Sequence, residues 1–108
     1  MSAASPRLTL RVVTPQGVAL ETGCDSVTLP LADDASGQGG GSIGIRYGHL
    51  PALLSLGAGT VCAAMDGKTR SRLSVERGFA LVERDSVSVI SDSAALEGVA
   101  GDGPEQAR

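Results

Sequence analysis

The sequence predicts an all-β protein built from short antiparallel strands in one domain. Apolar and polar residues alternate with the period of two that half-buried strands show, and the alternating segments recur at intervals of about ten residues. No stretch before residue 93 has the apolar spacing of an amphipathic helix. A chain of 108 residues has the length of a single domain. These observations predict a sandwich or a barrel of antiparallel sheet.

The first two predicted strands occupy residues 8–12 and 26–29. In the first, two leucines and Val12 lie on one face, and a threonine and an arginine lie on the other. In the second, Val27 and Leu29 alternate with a serine and a threonine. Each segment therefore predicts a strand with one buried face.

A hairpin is predicted around Asp66-Gly67. Val61, Ala63 and Met65 alternate along the strand that leads into it, and residues 68–75 return as the second strand. The Asp-Gly pair can adopt the positive φ angles of a type I′ turn. This combination is a strong hairpin pattern.

A second pair of strands is predicted at residues 79–83 and 86–90. Arg84-Asp85 forms the charged turn between them. Val87 and Val89 alternate with serines in the second strand of the pair. The pair is therefore predicted to have an inward apolar face, like the earlier strands.

Two segments lack strand periodicity. Residues 30–41 are polar and rich in glycine, which predicts a loop with a mobile tip. Residues 93–97 allow at most one helical turn before the glycines and the proline that follow. We therefore expect an N-terminal tail at residues 1–6, one domain at residues 7–96 and a disordered C-terminal tail at residues 97–108.

The composition disfavours several functions. A net charge of −3 provides no basic face for nucleic acid, and an aromatic content of 2% provides no stacking platform for bases or sugars. No apolar run approaches the roughly 20 residues that span a bilayer, and we expect no secretory signal at the N-terminus. Cys24 and Cys62 match no metal or redox motif, so we expect small packing residues rather than a disulfide.

No residue pattern predicts a catalytic, cofactor or metal site. Residues 39–44 fit GxGxxG, but the glycine and proline that follow leave no room for the helix that a dinucleotide site needs. His49 is the only histidine, and no nucleophile motif accompanies it. Zinc requires about four converging ligands, which one histidine and two distant thiols do not supply. Asp33 and Asp34 lack the spacing of a calcium loop.

The segment from residue 41 to residue 51, GSIGIRYGHLP, is the most unusual in the chain. It contains the only tyrosine, Tyr47, and the only histidine, His49, and it is bordered by glycines and Pro51. Either an active site or a shaped contact loop would explain this clustering. The lack of a nucleophile motif favours the contact loop.

The order of features along the chain resembles a known family. Val13-Thr14-Pro15 ends the first strand, Gly-Ser-Ile-Gly-Ile at 41–45 precedes Gly-His-Leu-Pro at 48–51, and Gly78-Phe79 opens a later strand. This order is similar to the N-terminal β-sandwich domain of the epsilon subunit of F-type ATP synthase, called delta in mitochondria. The likeness covers residues 7–96. It implies an antiparallel β-sandwich of about 8–10 short strands, here without the family's C-terminal helical hairpin.

The resemblance implies a mechanical role without catalysis and without a bound cofactor. Members of the family belong to the central stalk and couple rotation of the membrane c-ring to the gamma shaft and the alpha/beta catalytic head, during ATP synthesis driven by protons or sodium ions. The implied partners are the gamma subunit and the polar loops of the c-ring. The implied location is the cytoplasmic face of the bacterial inner membrane, as a peripheral protein. A stand-alone β-sandwich that binds a ligand or another protein is the alternative.

The resemblance also implies a partner interface. In the family the Gly-His-x-Pro loop lies at the surface where gamma and the c-ring meet. The interface residues expected here are Ser42, Ile43, Arg46, Tyr47, His49 and Leu50. Bulky side chains with polar tips are typical anchors of such interfaces. The alternative for His49 is that its ring only satisfies carbonyl groups of its own turn.

The chain departs from the family pattern at several positions. Ser42 replaces a usual acidic residue that contributes to the ring contact, Arg46-Tyr47 replaces an apolar-proline pair, and Arg77 stands where a second glycine is common. Residues 33–40 lengthen a loop that is normally short. In many members the helical hairpin extends along gamma to inhibit ATP hydrolysis and, in some bacteria, binds ATP. We expect neither a self-inhibiting arm nor an ATP site here.

Overall fold

The computed structural model describes residues 7–32 and 41–98, which form ten strands and no helix. The strands build two five-stranded sheets that pack face to face, so the predicted all-β sandwich is confirmed. The strands are β1 (Leu8–Thr14), β2 (Gly17–Cys24), β3 (Ser26–Pro30), β4 (Ser42–Arg46), β5 (Ala52–Leu56), β6 (Gly59–Met65), β7 (Lys68–Val75), β8 (Gly78–Val82), β9 (Ser86–Ser91) and β10 (Ala94–Gly98). Within the described ranges no helix could cross a membrane.

The two sheets differ in how their strands are connected. The first sheet has the order β2-β1-β9-β8-β5, and the second has the order β10-β7-β6-β3-β4. The neighbouring strands named here are antiparallel, except that β1 and β9 are parallel. Thr9 pairs with Ser86 and Val13 with Ile90 in this parallel ladder. The ladder joins the N-terminal hairpin to the later strands of the first sheet.

An aliphatic core lies between the sheets. It follows from the alternation in the sequence, because the inward face of each inner strand carries the apolar residues. The fully buried large side chains include Leu8, Leu10, Val12, Val27, Leu29, Ile45, Val61, Leu73, Val82, Val87 and Val89. Each such side chain contributes about 1.5–3 kcal/mol when it leaves water. Burial of alternate residues from both sheets is therefore the main source of stability.

The strands predicted from alternation are present. Residues 8–12 lie in β1 and residues 26–29 in β3, and both predicted hairpins occur as β6–β7 and β8–β9. Asp66 and Gly67 have φ angles of 55° and 78°, which confirms the type I′ turn. Met65 is only half-buried, and it is the last residue of β6, next to the exposed turn.

Residues 94–98 correct one expectation. The sequence predicted at most one helical turn at residues 93–97, but residues 94–98 form β10, an edge strand of the second sheet. β10 runs antiparallel to β7 and pairs with backbone groups of β7 that would otherwise lack partners. Tertiary pairing therefore overrides the local preference. The expectations for residues 1–6, 33–40 and 99–108 concern segments outside the described residues.

The chain crosses from one sheet to the other after β2, β4, β5, β7 and β9. The crossings are short, since Asp25 alone joins β2 to β3 and residues 76–77 join β7 to β8. These connections define two ends of the sandwich. The Tyr47 end contains the turns at residues 25, 47–51, 66–67 and 83–85, and the Ser42 end contains those at residues 15–16, 57–58, 76–77 and 92–93.

Backbone hydrogen bonds also join the two sheets at the Ser42 end. The Gly57 N–H donates to the Pro30 carbonyl at 3.1 Å, and the Ala32 N–H donates to the Ser55 carbonyl at 3.1 Å. Leu31 and Leu56 form a bridge between these bonds. The end of β3 in the second sheet is thus fixed against the end of β5 in the first. Each bond contributes about 1 kcal/mol net.

Gly78 in β8 leaves no room for a side chain beside the backbone of β9. A Cβ atom there would lie 1.9 Å from the Ile90 carbonyl oxygen, which is a backbone atom and cannot swing away. We expect Gly78→Ala to lower the free energy of unfolding, measured by urea denaturation, by about 3 kcal/mol.

Gly44→Ala is the matched control, because nothing lies within 4 Å of a Cβ atom at Gly44 in β4. We expect its free energy of unfolding to change by about 0.5 kcal/mol or less. Equal stability of the two variants would contradict the close packing of β8 on β9.

Candidate partner interface

The loop of residues 47–51 carries the chain from β4 in the second sheet to β5 in the first. Both strands are edge strands, so the loop closes one side of the sandwich at the Tyr47 end. Gly48 has a φ angle of 89°, which only glycine adopts at low cost. Its N–H donates to the Arg84 carbonyl at 2.7 Å, and the His49 N–H donates to the Arg46 carbonyl at 3.2 Å. The loop therefore has a defined shape and is tied to the β8–β9 turn.

The Tyr47 ring lies between two arginines. The central guanidinium carbon of Arg7 is 3.9 Å from the ring centroid, and that of Arg84 is 5.5 Å away. Both distances are within the range of a cation–π interaction. Tyr47 is half-buried, whereas both arginines are exposed. The ring thus joins the start of β1, the crossing loop and the β8–β9 turn.

His49 and Leu50 occupy the outer part of the loop. The His49 Nδ1 lies 2.6 Å from the Leu50 carbonyl oxygen, so Nδ1–H is the donor and the carbonyl accepts. This contact agrees with the interpretation that the histidine satisfies a carbonyl of its own turn. Leu50, in contrast, is 79% exposed. The two neighbouring side chains therefore differ, since one is held by the loop and the other extends from it.

Ser42 and Ile43 lie away from this loop. Ser42 begins β4 and pairs with Pro30, whereas Arg46 ends β4 and pairs with Ser26. Four steps along an extended strand separate them by about 13 Å. Ile43 is half-buried and packs against the core. The six residues expected at one interface are thus divided between the Ser42 end and the Tyr47 end.

Part of the outer face of the first sheet is apolar, which the alternation patterns did not predict. Leu53 pairs with Leu81, and Phe79 pairs with Ile90, which in turn pairs with Val13. We call this surface the apolar face, and its residues are Val13, Val18, Leu53, Phe79, Leu81 and Ile90; Val13 is half-buried and the others are 43–69% exposed. The uninterrupted apolar run of residues 79–82 was the available signal, because a strand that is apolar on both sides is usually covered on both.

A groove of about 660 Å³ lies where the apolar face meets the Ser42 end. Its lining includes Val13, Leu56, Phe79 and Ile90, with Arg77 and Asp92 also contributing. Ser91 also lines the groove and holds its backbone in place, because the Ser91 hydroxyl lies 2.8 Å from the Arg77 carbonyl and 2.9 Å from the Ser93 carbonyl. Arg77, which departs from the family pattern, is therefore part of a concave surface.

The structure places Gly44 and the two cysteines, which belong to the chemical motifs considered from the sequence. Gly44 lies inside β4, so the glycine pattern at 39–44 leads into a strand and not into the helix N-terminus that binds a pyrophosphate. The described residues contain no group of three or more His, Cys, Asp or Glu side chains able to hold a metal ion. Cys24 and Cys62 are free thiols.

Cys24 is fully buried in the core beside Asp25. Burial, and then the charge of Asp25, raise the pKa of the Cys24 thiol from 9.0 to about 11. The reactive form of cysteine is the thiolate. Cys24 is therefore a packing residue at neutral pH.

Comparison with known proteins gives the family of this chain. A family model described as the β-sandwich domain of the ATP synthase delta/epsilon chain matches residues 7–97. The chain belongs to this family. The match includes all ten strands except the last residue of β10.

Several curated relatives in this delta/epsilon family are bacterial ATP synthase epsilon chains. The chain is 31% identical over 85 residues to the ATP synthase epsilon chain of Granulibacter bethesdensis, covering 79% of this chain and 58% of the relative. It is 33% identical over 86 residues to that of Desulfitobacterium hafniense, covering 80% and 59%. It is 35% identical over 89 residues to that of a Synechococcus species, covering 82% and 60%. The chain thus spans about three fifths of the length of these relatives.

Solved structures share the fold of the delta/epsilon domain. A chain of the Euglena gracilis mitochondrial ATP synthase matches with a TM-score of 0.66 and 16% identity, covering 88% of this chain and 56% of that one. A chain of the Tetrahymena thermophila mitochondrial ATP synthase matches with a TM-score of 0.59 and 10% identity, covering 85% and 68%. At these identities the likeness establishes the fold.

The buried Cys24 thiol makes the stability of this delta/epsilon domain fall at alkaline pH. The unfolded chain ionises Cys24 near pH 9.0, but the folded chain does so near pH 11. The free energy of unfolding therefore falls as the pH rises through this window, by about 2–3 kcal/mol for a shift of this size.

The measurement is the free energy of unfolding at about pH 8 and about pH 11 in reducing buffer, for wild type, Cys24→Ala and Cys62→Ala. Wild type and Cys62→Ala should lose about 2–3 kcal/mol more than Cys24→Ala on going to the higher pH. The same loss in all three proteins would contradict the burial of the Cys24 thiol.

Proposed function

We infer that this chain is a non-catalytic central-stalk subunit of an F-type ATP synthase, which couples rotation of the membrane c-ring to the gamma shaft and the alpha/beta head. The observation that carries this inference is the family match over residues 7–97. The solved relatives come from an assembly of OSCP, F1 and c-ring and from an assembly of central stalk and c-ring. Membership of such an assembly requires contacts with partners, and the surface of the sandwich is suited to them.

The stiffness of the sandwich supports a mechanical role. Ladders of hydrogen bonds fix the strands within each sheet, and close packing of the aliphatic core resists compression between the sheets. The chain itself crosses between the sheets at both ends. A body of this kind transmits a displacement from one end to the other with little internal deformation.

The two ends of the sandwich offer separate contact regions. The ring contact is proposed for the Ser42 end, because the family's acidic contact residue corresponds to Ser42. The gamma contact is proposed for the Tyr47 end, where Arg46, Tyr47, His49 and Leu50 lie, and for the apolar face. Ser42 and Arg46 occupy opposite ends of one strand, β4, so the two contacts are joined by a single element.

The apolar face supports the proposed gamma contact by its composition. Leu53 is 69% exposed, Phe79 52% and Ile90 57%, and they lie on one side of one sheet. Contiguous exposed apolar surface on a small protein usually marks an interface. The central part of such an interface is apolar, and charged side chains form its rim.

The proposed location follows from the complex and from the relatives. A subunit that contacts the c-ring loops is a peripheral membrane protein. The relatives described above are bacterial epsilon chains, which supports the cytoplasmic face of a bacterial inner membrane. The driving ion, proton or sodium, is determined by the ring and not by this chain.

Copurification with the gamma subunit of the same organism tests the proposal. Wild type should form a stable one-to-one complex on size-exclusion chromatography. Leu53→Lys and Leu81→Lys place a charge on the apolar face and should each weaken the complex by roughly tenfold or more. Leu96→Lys is the matched control, since Leu96 is 53% exposed but lies on β10 of the second sheet.

A wild-type protein that stays monomeric beside folded gamma would contradict the stalk role. Equal binding by wild type and both apolar-face variants would show that gamma does not bind at the apolar face. Circular dichroism of each variant checks that the sandwich is folded, because all three substituted leucines are exposed and should not disturb the core.

The groove favours a second candidate function, a stand-alone module that binds a small molecule. Its volume of about 660 Å³ lies within the range of ligand pockets. Phe79 and Ile90 belong both to the groove and to the apolar face, so a protein partner on that face would cover it. Native mass spectrometry separates the candidates, since a ligand module isolated from cells carries a bound small molecule and a stalk subunit carries gamma.

A further inference from the structure

Three exposed arginines lie at the Tyr47 end of the sandwich. Arg7 precedes β1, Arg46 ends β4, and Arg84 lies in the β8–β9 turn. We call this group the arginine cluster. Acidic residues lie in the turns of the same end, at Asp25, Asp66, Glu83 and Asp85, so the positive charge is confined to the arginine side chains themselves.

Two arginines of the cluster are held in place before any partner binds. The Arg7 guanidinium lies 3.9 Å from the centroid of the Tyr47 ring, and the Arg84 guanidinium lies 5.5 Å from it. An arginine that stacks on a ring keeps its N–H groups free to donate. Such a side chain loses less conformational entropy when it forms an ion pair than a freely rotating one does.

The backbone beneath the cluster is also fixed. The Gly48 N–H donates to the Arg84 carbonyl at 2.7 Å, and the Thr9 N–H donates to the Asp85 carbonyl at 3.0 Å. The β8–β9 turn is therefore bonded to the crossing loop on one side and to β1 on the other. Neither bond involves the arginine side chain, so substitution of Arg84 leaves both in place.

Leu50 is an exposed apolar side chain at the same end of the sandwich as the cluster. It is 79% exposed and follows His49 in the same loop. An exposed leucine next to oriented arginines has the make-up of a protein interface, with an apolar centre and a charged rim. A purely electrostatic site would not require it.

The surrounding charges favour a protein partner over a phosphate polymer. Glu83 and Asp85 flank Arg84 in the turn, so positive and negative side chains alternate there. A nucleic acid presents a continuous row of phosphates, which these carboxylates would repel. A protein surface can instead place single carboxylates opposite single arginines, which form bidentate hydrogen bonds with them.

We propose that the arginine cluster and Leu50 bind a surface that carries aspartate or glutamate side chains around an apolar pocket. This proposal rests on the proposed function, under which that surface belongs to the gamma subunit. It adds that the gamma side of the contact is acidic, and it names Arg7 and Arg84 as the residues that select such a surface.

The test is the affinity for purified gamma, measured by isothermal titration calorimetry at low and at physiological salt. Arg7→Glu and Arg84→Glu should each raise the dissociation constant by roughly tenfold or more, and wild-type affinity should fall as salt rises. Arg72→Glu is the matched control, because Arg72 is equally an exposed arginine but lies on β7 of the second sheet. It should bind as wild type does.

Complementary changes in gamma identify the partner groups. Single Asp→Lys and Glu→Lys variants of gamma, tested against Arg84→Glu, should include at least one that restores the affinity. Failure of every such variant, or unchanged affinity of Arg7→Glu and Arg84→Glu while wild type still binds gamma, would overturn the inference and leave the stalk role intact. Failure of wild type to bind gamma at all would instead overturn the proposed function.

Two further probes test the other classes of partner. Vesicles of phosphatidylserine and phosphatidylcholine, and a short DNA duplex, should show no binding that depends on Arg7 and Arg84. Binding of either probe by wild type that is lost in both variants, with gamma affinity unaffected, would assign the cluster to an anionic lipid or a nucleic acid and refute the acidic protein surface. Thermal melting of each variant confirms that it is folded.

Discussion

The crossing between β4 and β5 constrains the rest of the surface. The two sheets are about 10 Å apart, and five residues span at most about 17 Å when fully extended. Residues 47–51 must therefore cross that gap and reverse direction with little slack. Gly48 allows this with its φ angle of 89°. The position of Tyr47, His49 and Leu50 is accordingly set by the core that holds β4 and β5, and not by the loop alone.

The same constraint links the core to the surface chemistry. Ile45 is fully buried, so the residues on either side of it in β4, Gly44 and Arg46, face outwards. The Tyr47 ring then reaches Arg7 and Arg84. Arg7 directly precedes β1 and Arg84 lies in the turn between β8 and β9, so both belong to the other sheet. Alternation along β8 and β9 has a similar effect. Small apolar residues face the core in both strands, so Phe79, Leu81 and Ile90 lie on the outer side. Core packing thus determines which residues can contact a partner.

Sequence alternation predicted the central strands but not the edges. The strands predicted by period-two patterns, such as residues 8–12 and 61–65, have neighbours on both sides in their sheets. β2, β4, β5 and β10 are the four edge strands in the described sheets, and their patterns are weaker because an edge strand is only partly buried. β10 depends on pairing with β7, a tertiary contact that local propensity does not encode. The separation of Ser42 from the Tyr47 loop could likewise not be predicted, because residues close in sequence can lie at opposite ends of one extended strand.

Under the proposed function, β4 is the element through which the two contact regions act on each other. An extended strand is stiff along its axis, because stretching it would require changes in bond lengths and angles rather than in dihedrals. β4 is held sideways by a five-residue ladder with β3 and inwards by Ile45. A force applied near Ser42 is therefore transmitted to the Tyr47 end along a short, supported path. A helix or a long loop in the same place would bend first, so the sandwich is the better coupling element.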